Sequence, residues 1–120
     1  MKRVLIVDDA SVVRLMMKKI LNQGDFTVVG EAANGREAFE KYKELRPDVV
    51  TMDMVMPEAD GIQATKDITA FDTNAKVVIV SGIDQKKMLM QAIKAGASSY
   101  IVKPFEHERV ISTLNEVIGS

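Results

Sequence analysis

The sequence predicts an α/β fold in which a parallel sheet carries helices on both faces. Three observations carry that expectation. Solidly apolar runs of strand length recur along the chain, most plainly at 3–7, 48–53 and 76–80, as expected of strands buried on both faces. Between them lie stretches with apolar residues three and four apart, the pattern of amphipathic helices. Cap and turn residues mark each change of period. Five such alternations within 120 residues imply a single domain over 1–120, a doubly wound (βα)5 sandwich with right-handed crossovers.

The elements follow in order. Arg3 to Val7 reads as the first strand, ended by Asp8 and Asp9. Ser11 to Gln23 reads as a helix whose apolar stripe is Val12, Val13, Met16, Met17, Ile20 and Leu21, with Gly24 as its stop. Phe26 to Glu31 is the second strand. Asn34 and Glu37 resemble a capping box, opening a helix that turns Ala38, Phe39, Tyr42 and Leu45 inward and ends before Pro47. Asp48 to Asp53 is the third strand. The segment 57–61 reads as a turn, and Gly61 to Phe71 as a helix burying Ala64, Ile68 and Phe71. Lys76 to Val80 is the fourth strand, ended by Ser81 and Gly82. Asp84 is the expected cap of a helix containing Met88, Leu89, Ala92 and Ile93, closed by Gly96. Ser99 to Val102 is the fifth strand, followed by Lys103 and Pro104. A last helix from about Phe105 to Ile118 buries Val110, Ile111, Leu114, Val117 and Ile118.

Composition narrows the functions. Apolar residues make up 47% and charged residues 28% of the chain, as in an ordinary soluble globular protein. A net charge of -1 argues against nucleic-acid binding through a basic face. No apolar stretch is long enough to cross a bilayer. The absence of cysteine removes disulfides and thiolate metal sites and fits a cytoplasmic location. Eight methionines and no tryptophan imply an adaptable aliphatic core.

In a parallel sheet all carboxyl ends reach one rim, where ligands gather. The ends here offer Asp8 and Asp9, Asp53, Ser81 and Lys103, while the second strand ends in Glu31 with no obvious role. Each residue alone has a plain reading. Asp8–Asp9 can cap a helix, Asp53 can form a turn, Lys103 can be solvated, and Ser81 can be a turn residue. Their convergence on one rim points instead to a site with three carboxylates, a hydroxyl and an ammonium.

Five motifs then stand in sequence: Val7-Asp8-Asp9, Met52-Asp53-Met54-Val55-Met56-Pro57, Asp60-Gly61, Val80-Ser81-Gly82, and Tyr100-Ile101-Val102-Lys103-Pro104-Phe105. In order and spacing the chain resembles the response-regulator receiver family over its whole length, and within it the stand-alone chemotaxis receivers. The resemblance implies a flavodoxin-like topology of strand order 2-1-3-4-5, with Asp8, Asp9 and Asp53 at the switch point. It implies that Asp53 is the phosphoacceptor and that Mg²⁺ is held by Asp8, Asp9, Asp53 and the backbone carbonyl of Val55. Lys103 would counter the phosphoryl charge, and Lys103–Pro104 would be a cis peptide. Without metal the three acids would repel one another and raise at least one carboxyl pKa. Ser81 and Tyr100 would be the switch pair, although Tyr100 equally fits half-buried strand packing. The output face would be the fourth helix, fifth strand and fifth helix. Implied partners are a CheA-type histidine kinase and a flagellar motor switch protein or adaptor, with a phosphatase as an optional further partner and the chain acting as a monomer by docking.

Some positions depart from the family pattern. Ser81 stands where Thr is commoner, and Gly82 leaves the phosphoryl position more open. Met54 and Val55 are apolar where many relatives carry a polar group, which bears on dephosphorylation. Ile83 flanks the site. Glu106, His107, Glu108 and Arg109 read as a solvated first turn, with His107 neither ligand nor phosphodonor. Lys86, Lys87 and Lys94 read as solvating the fourth helix, and Met90 as facing outward.

Three other functions compete. A single-domain phosphorelay intermediate would carry the same site. An aspartyl-phosphate Mg²⁺ phosphatase would want a second acid two residues after the nucleophile, where this chain has Val55. A flavin-binding module would want a hydroxyl-rich phosphate loop, where this chain has Asp8–Asp9. The expected protein is therefore a phosphoacceptor switch, assisting its own phosphorylation and dephosphorylation, and not an enzyme with an external substrate.

Overall fold

The computed structural model describes residues 2–56 and 60–119. Its element order is β1 (Lys2–Val7), α1 (Ser11–Asn22), β2 (Phe26–Ala32), α2 (Gly35–Leu45), β3 (Val49–Asp53), α3 (Gly61–Phe71), β4 (Val77–Ser81), α4 (Lys86–Lys94), β5 (Ser99–Val102) and α5 (His107–Ile118). The five strands form one parallel sheet in the order β2-β1-β3-β4-β5. Both the fold class and the strand order expected from the sequence are present. The turn expected over 57–61 falls mostly on 57–59, outside the described residues.

Alternate side chains of a strand point to opposite faces, and this divides the core in two. Leu5, Val7, Val50, Met52, Val77 and Ile79 pack with Ala38, Tyr42, Ala64, Ile68 and Ala92 on the α2–α3–α4 side. Val4, Ile6, Val49, Val78, Val80 and Ile101 pack with Met17, Leu21, Val110, Leu114 and Val117 on the α1–α5 side. β1, β3 and β4 are thus apolar on both faces, which is why they read as unbroken runs. The β1–β2 register skips one residue, passing from Val4↔Val28 to Leu5↔Gly30 and leaving Val29 as a bulge on the sheet edge.

Caps set several boundaries. The Asn34 side chain accepts from the Glu37 N–H at 2.8 Å, while Glu37 accepts from the Ala33 N–H at 3.1 Å, a capping box displaced by one residue. After α4, Gly96 takes φ +118°, and the Gly96 and Ala97 amides return to Ile93 and Ala92. That is a Schellman stop, and its backbone conformation favours glycine.

Four expectations need correction. Val12, at 67% exposure, and Met16 lie outside the buried face of α1. That face is centred on Val13, Met17, Ile20 and Leu21, and residues one position earlier are rotated about 100° away. Phe71 is exposed on one side because it packs edge-on against Phe39 and Tyr42 at the margin of the core, with Arg46 over its ring. Asp84 does not cap α4. The helix starts at Lys86 after Gln85, whose side chain turns back to accept from the Gly82 N–H at 2.7 Å. On this short helix Ala92 is fully buried, while Ile93 is 40% exposed. In addition α5 begins at His107, not Phe105.

Candidate phosphoryl-acceptor site

Asp53 is the last residue of β3 and continues the Val49–Thr51 row toward the α1–α5 side. It is only 6% exposed, and Asp8, just past the end of β1, is 3% exposed. Two acids in so little water need a cation. Lys103, just past β5, supplies it: Nζ lies 3.2 Å from Asp53 Oδ1 and 3.3 Å from Asp8 Oδ2. Three strand ends thus meet through one ammonium. The second Asp8 oxygen accepts from the Ala10 N–H at 2.9 Å. The Lys103 N–H donates to the Ser81 carbonyl at 2.7 Å, which ties the end of β5 to that of β4. The Lys103–Pro104 peptide is cis.

The electrostatics follow from burial. Loss of water pushes the Asp53 carboxyl above the ordinary range, the neighbouring Asp8 charge pushes it further, and Lys103 only partly offsets them. Burial alone would lower the Lys103 pKa, but attraction to Asp53 and Asp8 outweighs it and holds the ammonium above its usual value. Asp9 is exposed at the rim. Asp8, Asp9 and Asp53 each place a carboxylate oxygen within 4.8 Å of the others. An all-oxygen set of acids at that spacing fits a hard divalent cation such as Mg²⁺. The Val55 side chain is half-exposed at the same rim, between buried Met54 and Met56.

The remaining residues sit around this centre. Ser81 is buried and ends the Val77–Ile79 row, so it belongs to the α2–α3–α4 face of the sheet, opposite to Asp53. Its hydroxyl donates to the Gly82 carbonyl at 3.0 Å. Tyr100 is half-exposed on edge strand β5, and Ile83 is strongly exposed. Both line an open surface groove of about 830 Å³ that also runs past Lys103, Glu106 and Arg109. His107 is exposed at the start of α5, on the outer surface.

Two contributions escape a reading of the sequence. A Cβ on Gly61 would lie 2.2 Å from the Asp53 carbonyl oxygen and 2.8 Å from Met54 Cα. The start of α3 therefore presses directly on the backbone that carries Asp53, and the Gly61 N–H donates to the Met54 carbonyl at 2.9 Å. Asp60 caps this helix by accepting from the Gln63 N–H. The Asp60–Gly61 pair in the sequence was the available signal, but not the contact it makes. Second, Glu31 binds Arg14 at 3.0 Å and Lys18 at 2.9 Å, and Arg14 donates to the Asp8 carbonyl at 2.7 Å. No local pattern in the sequence marks this long-range contact.

Known proteins resemble this chain along most of its length. Residues 4–115 match the family model of the response regulator receiver domain. The chain is 56% identical over 116 residues to the chemotaxis protein CheY of Thermotoga maritima, covering 97% of each chain. It is 50% identical over 117 residues to the chemotaxis protein CheY of Bacillus subtilis, covering 98% of each. Among solved structures it superimposes with a TM-score of 0.91 on a chain of the CheX–CheY–BeF3–Mg²⁺ complex from Borrelia burgdorferi, at 34% identity and covering 97% of this chain and 88% of that one. With a receiver sheet order, acids and a lysine meeting at its rim, and relatives of this kind over nearly its full length, the chain belongs to the response regulator receiver family.

Proposed function

We propose that the protein is a response regulator of chemotaxis signalling that takes a phosphoryl group on Asp53 and thereby changes the partners it binds. The observation that carries this reading is the contact of one lysine with two buried acids from separate strand ends, at 3.2 and 3.3 Å. It leaves a nucleophilic carboxylate beside a fixed positive charge, which are the two parts that phosphoryl transfer needs from a protein.

A phosphohistidine of a CheA-type kinase is the donor. An Asp53 carboxylate oxygen attacks phosphorus, a P–O bond forms, and the P–N bond breaks with its electron pair leaving on the imidazole. Lys103 attracts the phosphoryl oxygens and meanwhile keeps Asp8 paired. Asp8, Asp9, Asp53 and the Val55 carbonyl are the groups that would hold Mg²⁺, which supplies charge neutralisation and alignment when bound. The Ser81 hydroxyl exchanges its Gly82 partner for a phosphoryl oxygen, and Tyr100 on β5 reports the change to the α4–β5–α5 face. The chain's own phosphorylation and dephosphorylation are its only chemistry.

The chemotaxis assignment draws on the relatives' names and near-complete overlap. The Borrelia complex, a CheY with BeF3, Mg²⁺ and CheX, supports both the metal and a dedicated protein partner. A flagellar motor switch protein or adaptor, with a phosphatase, completes the partner set of a cytoplasmic monomer. Among the described residues, no helix is long and apolar enough to cross a membrane.

The test uses labelled acetyl phosphate with Mg²⁺. The parent protein labels and Asp53→Asn does not; equal labelling of the two refutes the reading. Retention of a motor switch protein by the phosphorylated form alone then separates chemotaxis from a phosphorelay.

A further inference from the structure

We propose that Glu31 and Arg14 form a positioning relay, in which Glu31 aims the Arg14 guanidinium at the Asp8 carbonyl and so sets the peptide from which Asp9 projects. This inference rests on the metal-site reading above. Asp8 and Asp53 are buried and held by Lys103, whereas Asp9 is exposed. Packing therefore constrains Asp9 least of the three acids. The Asp8 carbonyl belongs to the planar peptide joining Asp8 to Asp9, so a donor fixed on that oxygen fixes the plane from which Asp9 departs. Arg14 Nη1 is that donor, at 2.7 Å.

Arg14 does not reach the carbonyl unaided. Its Nε donates to Glu31 Oε1 at 3.0 Å, and the guanidinium is planar, so anchoring one edge orients the other. Glu31 is fixed in turn. Lys18 binds its other carboxylate oxygen at 2.9 Å, Lys41 donates to its backbone carbonyl, and the next residue, Ala32, accepts the Asp8 N–H at 3.0 Å. The second strand thereby acts on the rim without placing a group among the acids. Partners that orient metal ligands in this way often govern metal affinity as strongly as some ligands do.

The sign of the effect separates positioning from simple charge. Arg14 is a cation near a cation site, so by Coulomb's law its removal should tighten Mg²⁺ binding. Positioning requires removal to weaken it. Mg²⁺ affinity is measured by isothermal titration calorimetry on the whole protein at constant ionic strength and neutral pH. Arg14→Gln is expected to bind roughly tenfold more weakly than the parent. The double variant Arg14→Gln with Glu31→Gln leaves net charge unchanged and is expected to lose the same tenfold. Lys19→Ala, which removes an exposed cation of α1 that takes no part in the relay, is expected to stay within about twofold. Circular dichroism shows whether each variant is folded, and if the single variant is not, the double variant decides. An Arg14→Gln or double variant that binds Mg²⁺ as tightly as the parent, or more tightly, overturns the relay. A parent that binds no Mg²⁺ overturns the metal-site reading itself.

Discussion

At the ends of β1 and β3 charged side chains are buried, while along α4 and β5 apolar side chains are exposed. Asp8 and Asp53 are closed in with Lys103. On the other flank Ile83, Met90, Ile93, Tyr100 and Val102 all face solvent to a large degree, and Ile101 is the one fully buried residue of β5. The two regions lie on one sheet, joined by the bond from Lys103 N–H to the Ser81 carbonyl. The difference teaches how labour divides in the molecule. The rim holds reacting groups in place at the cost of desolvated charge. The flank has few buried contacts, so its rearrangement costs little, and its exposed apolar surface has something to gain from a partner.

Three substitutions test this contrast. Gly61→Ala should have the largest effect on stability, about 3 kcal/mol in urea unfolding, because the new methyl meets the backbone of Asp53 and no flexible side chain can yield. A loss below about 1 kcal/mol would mean that the rim is not rigid. Lys103→Met should cost about 1–2 kcal/mol in chelator, less than the roughly 3–5 of a fully buried pair, because the lysine side chain is 31% exposed. Its pKa is raised in the folded state, so this contribution is complete below the ordinary value of 10.5 and fades as pH rises through the higher folded value. The gap between parent and variant in unfolding experiments should therefore persist at neutral pH and close in strong alkali. Tyr100→Ala should change stability by no more than about 0.5 kcal/mol and leave labelling by acetyl phosphate unchanged, while capture of a motor switch protein falls. Slower labelling in that variant would dissolve the division between the two regions.

The same contrast explains what could be read from the chain beforehand. Buried strands announce themselves, since β1, β3 and β4 are apolar on both faces and tolerate little else. Strand order and the shared rim followed from the resemblance and from the common direction of parallel strands. Details that depend on a helix's rotation or on contacts remote in sequence did not follow. Apolar residues occupy several sides of α1, so spacing alone could not tell that Val13, and not Val12, faces the sheet. Asp84 is a good cap by type, but Gln85 takes the Gly82 amide and delays α4. Asp53 and Ser81 share a rim yet come from opposite faces of the sheet, which shows only once strand parity is fixed. Glu31 looked idle because Arg14 and Lys18 reach it from another element.

The bulge at Val29 bears on how copies of this protein behave toward each other. β2 is an outer strand, and its stretch 26–30 carries no charged residue. A straight edge of that kind is a template on which another chain can extend the sheet. Here the ladder breaks between Val28 and Gly30, so an incoming strand meets a kink and finds no continuous row of partners. An edge interrupted in this way is a poorer template for strand addition than a straight one.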